Sequence, residues 1–391
     1  MEPIIKSILD SDVYKATMMQ VILFYYPQLE VEYEFINRGK TVFPLGFAEE
    51  LRNQLNAMGK LRLTEKEEFW LRHCPDLKFL RPEFIDYFAK HQFDPSEVGI
   101  KENNGAIKIV IRGYWLRTIL WEVPILAIIS ELYYKMTGQK YKETDFQTRL
   151  RRKQLKMKDA NCKLIDFGTR RRHSLAVHDK LVRSMKENYG ANFLGTSNMY
   201  LAMKYGIKPI GTYAHEWPMA HQAMFGAIKA NFIANEIWYA LYGKALAIAL
   251  PDTFTSDVFF RDFDWTLANR LDGLRQDSGN PVNFGEKTIA HYIRLGIDPM
   301  TKKIVFSDNL NDDKAIALQK RFEDEINVVF GIGTNLTNDV GLEPLNMVIK
   351  LTRVKVNGTW MPVVKLSDDP GKHTGDPEEV LRVQKELGIA A

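Results

Sequence analysis

Residues 303–335 decide the fold, and they read KIVFSDNLNDDKAIALQKRFEDEINVVFGIGTN. The first four residues form a short, mainly apolar run that ends in the polar turn SDN. A helical pattern over residues 312–325 follows, and a second apolar run then ends in the glycine-rich turn GIGTN. Short apolar runs bounded by turn residues indicate buried strands. A strand, a helix and a strand in this order predict a parallel β–α–β unit with a right-handed crossover.

The same arrangement of an apolar run followed by a polar cluster recurs along the middle of the chain. The other clusters lie at residues 167–170, 195–198, 211–217 and 252–253. Helical patterns separate the runs at residues 173–188, 216–242 and 284–295. Polar clusters end nearly every predicted strand, which favours a closed (β/α) barrel over an open sheet. Because the carboxyl ends of barrel strands meet at one face, we expect these clusters to converge on a single site.

The two ends of the chain have a different pattern and predict a second, smaller α/β domain. Residues 31–36 alternate apolar and polar side chains, as a half-buried antiparallel strand does, and residues 108–112 are another strand candidate. Residues 347–351 and 361–366 predict a hairpin around Asn357-Gly358, a strong turn dipeptide. We predict an N-terminal α/β domain over residues 1–125, a (β/α) barrel over residues 126–345, and a tail over residues 346–391 that returns to the N-terminal domain.

The composition is that of a globular protein. The chain has 391 residues, which exceeds the size at which a single core stops growing. Its net charge of +4 is by itself too small to indicate nucleic-acid binding. Cys74 and Cys162 have neither a disulfide framework nor a metal-ligand spacing, which favours a reducing compartment. Charged residues interrupt the apolar stretches at 115–136 and 224–250, so we expect no membrane span. Glu2, Lys6, Asp10 and Asp12 precede any apolar run, so we expect no signal peptide and a cytoplasmic location.

Three clusters have the residue types that bind phosphate, and each also has a plainer structural interpretation. Residues 275–279 (RQDSG) offer a guanidinium, a hydroxyl and free turn N–H groups, but they also suit an ordinary turn. Residues 331–335 (GIGTN) let the backbone approach an anion, or they form a tight strand exit. Residues 170–172 (RRR) are densely positive. The alternative for the basic stretch 149–172 is a solvated face or a nucleic-acid surface.

His215 is the most informative candidate, because it lies where a predicted strand at residues 207–210 leads into a helical pattern. A histidine there is a structural residue, a metal ligand, or a nucleophile and proton carrier. Zinc is disfavoured, because the nearest histidine, His221, has a poor spacing for one helical face. We expect Asp252, at the end of the next predicted strand, to orient the ring in preference to the adjacent Glu216. Taken alone, the structural role is the plainer interpretation.

Together these motifs resemble the nicotinate phosphoribosyltransferase family over essentially the whole chain. The motifs that carry the resemblance are LDSDVYK at residues 9–15, FINRG at 35–39, LWEVP at 120–124, DFGTRRR at 166–172, GTSN at 195–198, GTYAHEW at 211–217, RQDSGNP at 275–281, GIGTNL at 331–336 and KLSD at 365–368. Several are long and occur in the order that the family has, so the resemblance is stronger than any single motif.

The resemblance implies an irregular (β/α) barrel with a second, smaller α/β domain, and a homodimer whose active sites are shared between subunits. It implies nicotinate, 5-phosphoribosyl 1-diphosphate and ATP as substrates, with Mg²⁺ as cofactor. The products that it implies are nicotinate mononucleotide and diphosphate, in the first step of NAD salvage from nicotinate. The resemblance also implies that ATP transiently phosphorylates His215, while Asp252 fixes the tautomer of the ring and steadies its cation.

The same resemblance implies the residues that bind the substrates. The nicotinate ring is expected to stack between Phe167 and Tyr14 of the partner subunit, with Arg170 facing its carboxylate. Asp277 is expected to hold ribose hydroxyls or, together with Asp252, the water of a bound Mg²⁺. The residues expected to bind 5-phosphoribosyl 1-diphosphate are Arg38, Thr196, Arg275, Ser278, Gly279, Gly331, Gly333, Thr334 and Lys372.

Ser197 discriminates within the superfamily, since the related nicotinamide-using enzyme is expected to have an aspartate there. A carboxylate accepts from an amide but repels another carboxylate, whereas a serine hydroxyl donates to it, so Ser197 favours the acid. The alternatives are that nicotinamide-using enzyme and another barrel enzyme acting on a sugar phosphate, such as an aldolase or isomerase. The second is disfavoured, because none of the predicted strand ends offers a Schiff-base lysine.

Overall fold

The computed structural model of the protein describes residues 1–369 and 372–389. The chain forms two compact units that are interleaved along the sequence. Unit 1 comprises Met1–Lys158, Leu164–Gly211 and Ile332–Lys350, and unit 2 comprises Asp159–Lys163, Thr212–Gly331 and Leu351–Ala391. These limits differ from the boundaries at residues 125 and 345, which remain a prediction of the domain organisation.

The regular elements are as follows in chain order. The helices are α1 (Val13–Tyr25), α2 (Phe47–Met58), α3 (Glu65–His73), α4 (Pro82–Lys90), α5 (Trp115–Thr118), α6 (Glu122–Met136), α7 (Glu143–Asp159), α8 (Leu175–Asn188), α9 (Met199–Tyr205), α10 (Glu216–Phe225), α11 (Ala227–Tyr242), α12 (Ser256–Asp262), α13 (Trp265–Arg270), α14 (Pro281–Arg294), α15 (Asp312–Phe322), α16 (Thr334–Thr337) and α17 (Pro377–Glu386). The strands are β1 (Glu30–Asn37), β2 (Val98–Asn103), β3 (Ala106–Tyr114), β4 (Leu164–Asp166), β5 (Phe193–Thr196), β6 (Ile248–Ala249), β7 (Gly273–Gln276), β8 (Lys303–Phe306), β9 (Asn327–Ile332), β10 (Met347–Val356) and β11 (Thr359–Pro362).

Unit 1 contains an antiparallel sheet and a short parallel pair. In the antiparallel sheet β3 lies between β1 and β2, with Tyr33 opposite Ile111 and Ile100 opposite Ile109. β10 lies beside β1, and its first four residues, 347–350, belong to unit 1. Strands β4 and β5 run parallel, so the carboxyl ends of both point in the same direction. This pairing brings the polar residues that follow the two strands close together.

Unit 2 contains a parallel run of four strands in the order β9-β8-β7-β6. Helices α14 and α15 connect successive strands, as parallel pairing requires. A separate apolar cluster joins α11, α12 and α17 through buried side chains such as Ala230, Val258 and Val383. The hairpin of β10 and β11 turns at Asn357 and Gly358, whose φ angles of 49° and 82° are those a two-residue turn demands.

The structure corrects several predicted elements. The predicted strand at residues 207–210 is wrong, because only an isolated bridge between Thr196 and Pro209 forms there, and proline has no N–H to donate. The single helix predicted over residues 216–242 is two helices, broken at Gly226, whose φ is 83°. Strand β7 was not predicted, since its sequence GLRQ has no apolar run.

The α/β class with a parallel sheet is confirmed. A closed barrel remains a prediction, because the pairings described above form an open run of four strands in unit 2 and one parallel pair in unit 1. No helix among residues 1–369 and 372–389 has the length and apolar character needed to span a bilayer.

Candidate active site

His215 immediately precedes α10 in unit 2, and its side chain is almost completely buried. Its Nδ1 lies 2.9 Å from the Thr253 hydroxyl, and its Nε2 lies 3.1 Å from Oδ2 of Asp277. Asp252 approaches Nε2 only to 3.7 Å, which is beyond hydrogen-bonding distance. The structure therefore brings together the three predicted catalytic residues, but Thr253 and Asp277, rather than Asp252, orient the ring.

Lys365 is the cation of this cluster. Its Nζ lies 3.0 Å from His215 Nε2 and 3.1 Å from Asp252 Oδ2. Burial, and then the charge of Lys365, lower the pKa of His215 to about 4 against the opposing effect of the carboxylates. The imidazole is therefore neutral near pH 7. Because an ammonium only donates and a carboxylate only accepts, Nε2 has a partner whether it carries a lone pair or a proton.

Asp277 follows β7 and is held by a basic and a hydroxyl side chain. Its Oδ1 accepts from Nη2 of Arg275 at 2.9 Å and from the Ser307 hydroxyl at 2.7 Å. Burial opposes its charge, yet Arg275 and His215 keep the pKa of Asp277 well below its usual range. Asp277 is thus a fixed carboxylate beside the histidine. Arg275, predicted to bind a phosphate, also donates from Nε to Ser307.

The turn after Asp277 connects it with Asp252. The Ser278 hydroxyl donates to Asp252 Oδ2 at 2.5 Å and accepts from the backbone N–H of Asp368 at 3.0 Å. Gly279 has a φ of 76°, and a Cβ there would lie 2.8 Å from Cβ of Asp368, so the turn requires glycine. Both interpretations of residues 275–279, an ordinary turn and a binding loop, are compatible with this geometry.

Asp252 has the features of a carboxylate that meets a hydrated cation. Its Oδ1 is buried without a hydrogen-bond partner, whereas Oδ2 is held by Ser278 and Lys365. In the described part of the chain, no group of three or more His, Cys, Asp or Glu side chains is placed to bind a metal directly. Mg²⁺ usually keeps several of its waters in protein sites. Asp252 and Asp277 therefore fit Mg²⁺ bound through water.

Unit 1 has a second cluster, in which Arg170 is held by a buried acid. Nη1 of Arg170 donates to Oε1 of Glu122 at 3.1 Å, and Oε2 of Glu122 pairs with Lys15 at 2.6 Å. Burial opposes the charge of Glu122, but Lys15 and Arg170 lower its pKa to about 2. Arg170 makes no further hydrogen bond with the described residues. The remaining N–H groups of its guanidinium are free to meet an anion.

Ser197 and Tyr14 lie in the same unit as Arg170. The Ser197 hydroxyl donates to Oδ1 of Asp12 at 2.7 Å, so the group predicted to meet the nicotinate carboxylate already has an acceptor. Burial raises the pKa of Asp12, while the charge of Arg170 acts in the opposite direction. The Tyr14 hydroxyl is buried without a hydrogen-bond partner, and Tyr14 interacts electrostatically with Arg170 of the same chain.

Asp166, at the end of β4, ties together the loops that carry Phe167 and Thr196. Its Oδ2 accepts from the Thr196 hydroxyl and contacts Nε2 of His178, both at 2.6 Å. Its Oδ1 accepts from the backbone N–H of Gly168 at 2.9 Å. Thr196, predicted to bind 5-phosphoribosyl 1-diphosphate, therefore uses its hydroxyl within the protein. Phe167 is half-buried.

The other residues predicted to bind 5-phosphoribosyl 1-diphosphate lie in several places. Arg38 is exposed just after β1 in unit 1. Gly331 lies inside β9 in unit 2, whereas Gly333 and Thr334 belong to unit 1 and begin α16. Lys372 is exposed and pairs with a neighbouring aspartate at 2.5 Å. Their contacts with substrate remain predictions.

Sequence reasoning assigned no role to five side chains that organise the two clusters. They are Thr253 and Lys365 in unit 2, and Asp12, Glu122 and Asp166 in unit 1. Four of the five lie inside motifs that carry the family resemblance, so a charged residue within a motif was the available signal. Thr253 had none, because a hydroxyl beside an aspartate is common in any turn.

The fold and the two clusters define an α/β protein with sites suited to anionic, phosphorylated ligands. The comparison with known families is more specific. Residues 162–390 match the nicotinate phosphoribosyltransferase (NAPRTase) family, and residues 9–130 match the N-terminal domain of that family. The chain belongs to the nicotinate phosphoribosyltransferase family, which confirms the resemblance predicted from the motifs.

Relatives resemble the chain over nearly its full length. It is 46% identical over 387 residues to the nicotinate phosphoribosyltransferase of Chromohalobacter salexigens, with 98% of each chain covered. It is 43% identical over 405 residues to that of Methanosarcina mazei, with 97% of each covered. The crystal structure of nicotinate phosphoribosyltransferase from Porphyromonas gingivalis has a TM-score of 0.96 at 42% identity, covering 99% of this chain and 100% of that one. The crystal structure of nicotinate phosphoribosyltransferase from Vibrio cholerae has a TM-score of 0.94 at 36% identity, covering 100% of this chain and 95% of that one.

Proposed function

We propose that the chain is an ATP-coupled nicotinate phosphoribosyltransferase. It forms nicotinate mononucleotide and diphosphate from nicotinate and 5-phosphoribosyl 1-diphosphate. Family membership supports the transfer reaction. One observation carries the coupling to ATP: a buried, neutral His215 whose Nε2 lies between the donor Lys365 and the acceptor Asp277.

In the proposed coupling step, the lone pair on His215 Nε2 attacks the γ-phosphorus of ATP. The new N–P bond forms as the bond to the bridging oxygen breaks, and ADP leaves with that oxygen. The proton on Nδ1 stays on the ring, hydrogen-bonded to Thr253. Lys365 offsets the negative charge of the arriving phosphoryl group, and the nearby carboxylates of Asp252 and Asp277 steady the positive charge that develops on the ring.

Nicotinate is proposed to bind through its carboxylate and its ring. The free N–H groups of Arg170 are suited to a carboxylate, because such charge-assisted pairs can form two parallel hydrogen bonds. Phe167 supplies a half-buried ring for stacking, and the second ring is proposed to be Tyr14 of the partner subunit. Ser197 is proposed to favour the acid over the amide, which requires its single hydroxyl proton to turn from Asp12 to the substrate carboxylate.

The ribose and its phosphates are proposed to meet carboxylates and cations respectively. Positive charge develops at ribose C1 as diphosphate leaves, so a fixed carboxylate near the ribose stabilises the transition state. Asp277 is proposed for this role. The proposed phosphate-binding residues are Arg38, Thr196, Arg275, Ser278, Gly279, Gly331, Gly333, Thr334 and Lys372.

Mg²⁺ is the proposed cofactor, held through water by Asp252 and Asp277. When bound, it supplies positive charge to the phosphate oxygens that gain negative charge during transfer. The buried Oδ1 of Asp252, which has no hydrogen-bond partner, supports this assignment. The protein residues fix the two carboxylates, since Ser278 holds Asp252 and Arg275 holds Asp277.

We further propose a cytoplasmic homodimer with shared active sites, acting in NAD salvage from nicotinate. Exposed apolar side chains on α10 and α11, namely Phe225, Ile228 and Phe232, suit a covered surface. A complementation test addresses the sharing. We expect Tyr14→Ala and His215→Ala each to inactivate the enzyme. If each active site takes Tyr14 from one subunit and His215 from the other, mixed dimers of the two variants regain activity. Mixed dimers without activity would exclude that arrangement.

The phosphohistidine is tested by incubating the protein with γ-labelled ATP and treating it with acid and base. We expect acid-labile, base-stable label on the wild type and none on His215→Ala. His221→Ala is the matched control, because His221, on α10, is also a buried histidine, and its Nδ1 lies 2.7 Å from the backbone carbonyl oxygen of Trp217. Label that persists in His215→Ala would remove His215 from this role.

A further inference from the structure

Glu122 connects two cations that differ in their exposure. It begins α6, and its carboxylate bridges Lys15 at 2.6 Å and Arg170 at 3.1 Å. The side chains of Lys15 and Glu122 are 0% and 7% exposed, whereas that of Arg170 is 36% exposed. The Lys15–Glu122 pair is therefore part of the protein interior, and Arg170 is the residue of the three that reaches solvent.

The bridge to Glu122 uses only part of the hydrogen-bonding capacity of Arg170. One of its terminal nitrogens donates to Glu122, and the guanidinium makes no other hydrogen bond with residues 1–369 and 372–389. Arginine has many rotamers, and a guanidinium anchored at one end loses less freedom when it binds a ligand at the other. Lys15 already balances the charge of Glu122, so the anchor does not cancel the positive charge that Arg170 presents.

We propose that Glu122 is a positioning residue for substrate recognition: together with Lys15, it holds the guanidinium of Arg170 in place to receive the nicotinate carboxylate. The inference rests on the proposed function and deepens it. Glu122 does not touch the substrate. By holding Arg170, Glu122 favours an acid over an amide. The free N–H groups of the Arg170 guanidinium pair with a carboxylate, and a guanidinium has no acceptor for an amide NH₂.

A purely structural role for Glu122 predicts a different outcome. If Glu122 only neutralises buried Lys15, removing both charges leaves catalysis and substrate preference unchanged in the folded protein. A positioning role predicts that the Michaelis constant for nicotinate rises while kcat and the Michaelis constant for 5-phosphoribosyl 1-diphosphate stay nearly constant. It also predicts that the preference for nicotinate over nicotinamide falls.

The experiment compares Glu122→Leu with the double variant Lys15→Met/Glu122→Leu, because glutamine would keep an amide oxygen that can still accept from Arg170. The single change leaves Lys15 buried without its counter-ion and can prevent folding, whereas the double change removes both buried charges. Outer partners of metal ligands typically contribute about ten- to a hundredfold in affinity, and by analogy we expect the Michaelis constant for nicotinate to rise about tenfold in the double variant.

Glu97→Leu is the matched control. Glu97 also joins two donors in unit 1, Arg117 at 2.7 Å and the indole of Trp121 at 2.9 Å, but neither has a predicted role in the site. We expect its kinetics to match the wild type. A folded double variant with an unchanged Michaelis constant for nicotinate would overturn the positioning role. Wild-type protein that fails to form nicotinate mononucleotide would instead overturn the proposed function.

Discussion

A buried ion pair of unit 1 and the buried histidine of unit 2 differ in charge and in pairing. In unit 1, Arg172 and Asp10 are 0% and 1% exposed and form two parallel hydrogen bonds of 2.6 Å. Burial opposes the charge of Asp10, but Arg172 lowers its pKa. In unit 2, the buried His215 is uncharged, and neighbouring Asp252 keeps one buried oxygen without a partner.

The difference indicates what each cluster can do. Two buried opposite charges that pair directly hold a geometry, and removing one of them is costly because no water replaces it. A ring that is proposed to gain and lose a phosphoryl group needs a donor and an acceptor beside the reacting nitrogen, and Nε2 of His215 has Lys365 and Asp277 there. This difference agrees with the proposed roles, in which unit 1 recognises the substrate through a fixed cation and unit 2 carries out the transfer.

The largest expected effect tests whether the pairing in unit 1 is structural. Arg172→Met leaves the buried Asp10 carboxylate without its cation, so we expect the free energy of unfolding to fall by about 3–5 kcal/mol. Urea unfolding measures it. Arg151→Met, which changes an exposed arginine of α7, is the control and should shift stability by less than about 0.5 kcal/mol. Equal effects of the two changes would contradict the contrast.

Lys365→Met tests the open arrangement in unit 2. The change removes the donor beside Nε2 of His215 and the cation beside Asp252, so we expect labelling by γ-labelled ATP to slow by roughly a hundredfold. Quench-flow labelling measures the rate. Lys320→Met, an exposed lysine of α15, serves as the control. Labelling at the wild-type rate in Lys365→Met would show that the cation is dispensable.

Ser197→Asp tests how unit 1 selects its substrate. The new carboxylate would lie next to Asp12, whose oxygen is now 2.7 Å from the Ser197 hydroxyl, and it would repel a substrate carboxylate. We expect the Michaelis constant for nicotinate to rise about tenfold, as one charge-assisted contact contributes. Ser197→Ala, which removes the hydroxyl without adding charge, should have a smaller effect. An unchanged Michaelis constant in Ser197→Asp would count against the role of Ser197.

The smallest effect concerns His91, a buried histidine of unit 1 with a pKa of about 4, mainly because of burial. The unfolded chain takes up a proton near pH 6.5 while folded His91 stays neutral, so stability falls as the pH drops from about 6.5 towards 4. Between pH 7.5 and 5.5 this costs about 1 kcal/mol. His91→Phe should lose less stability than the wild type over this interval, measured by urea unfolding.

The exposed His73, replaced by phenylalanine, is the control for His91→Phe. Parallel stability curves for the wild type and His91→Phe would show that His91 is not the group responsible. The comparison with His215 is direct, because burial lowers both pKa values to about 4, yet Nε2 of His91 has no hydrogen-bond partner. A neutral, buried imidazole is therefore not enough to indicate an active site. The polar partners of His215 are what distinguish it from His91.

The elements that could be predicted are those whose signal is local. Strands β8 and β9 were predicted from their apolar runs, and the Asn357-Gly358 turn from its dipeptide. Strand β7 and the break at Gly226 could not be predicted in this way. Strand β7 has no apolar run, because Arg275 and Gln276 make up half of it. The helix break is a single glycine, Gly226, inside an otherwise continuous helical pattern.

The sequence by itself determined the α/β class, the family and the identities of the candidate residues, because periodicity, turn chemistry and motif order are properties of neighbouring residues. Only the tertiary structure decided which of them meet. Lys365 reaches His215 across 150 positions of the chain, and Thr253 contacts the ring where its neighbour Asp252 does not. A hydrogen bond depends on distances of tenths of an ångström, and packing of the whole unit sets those distances.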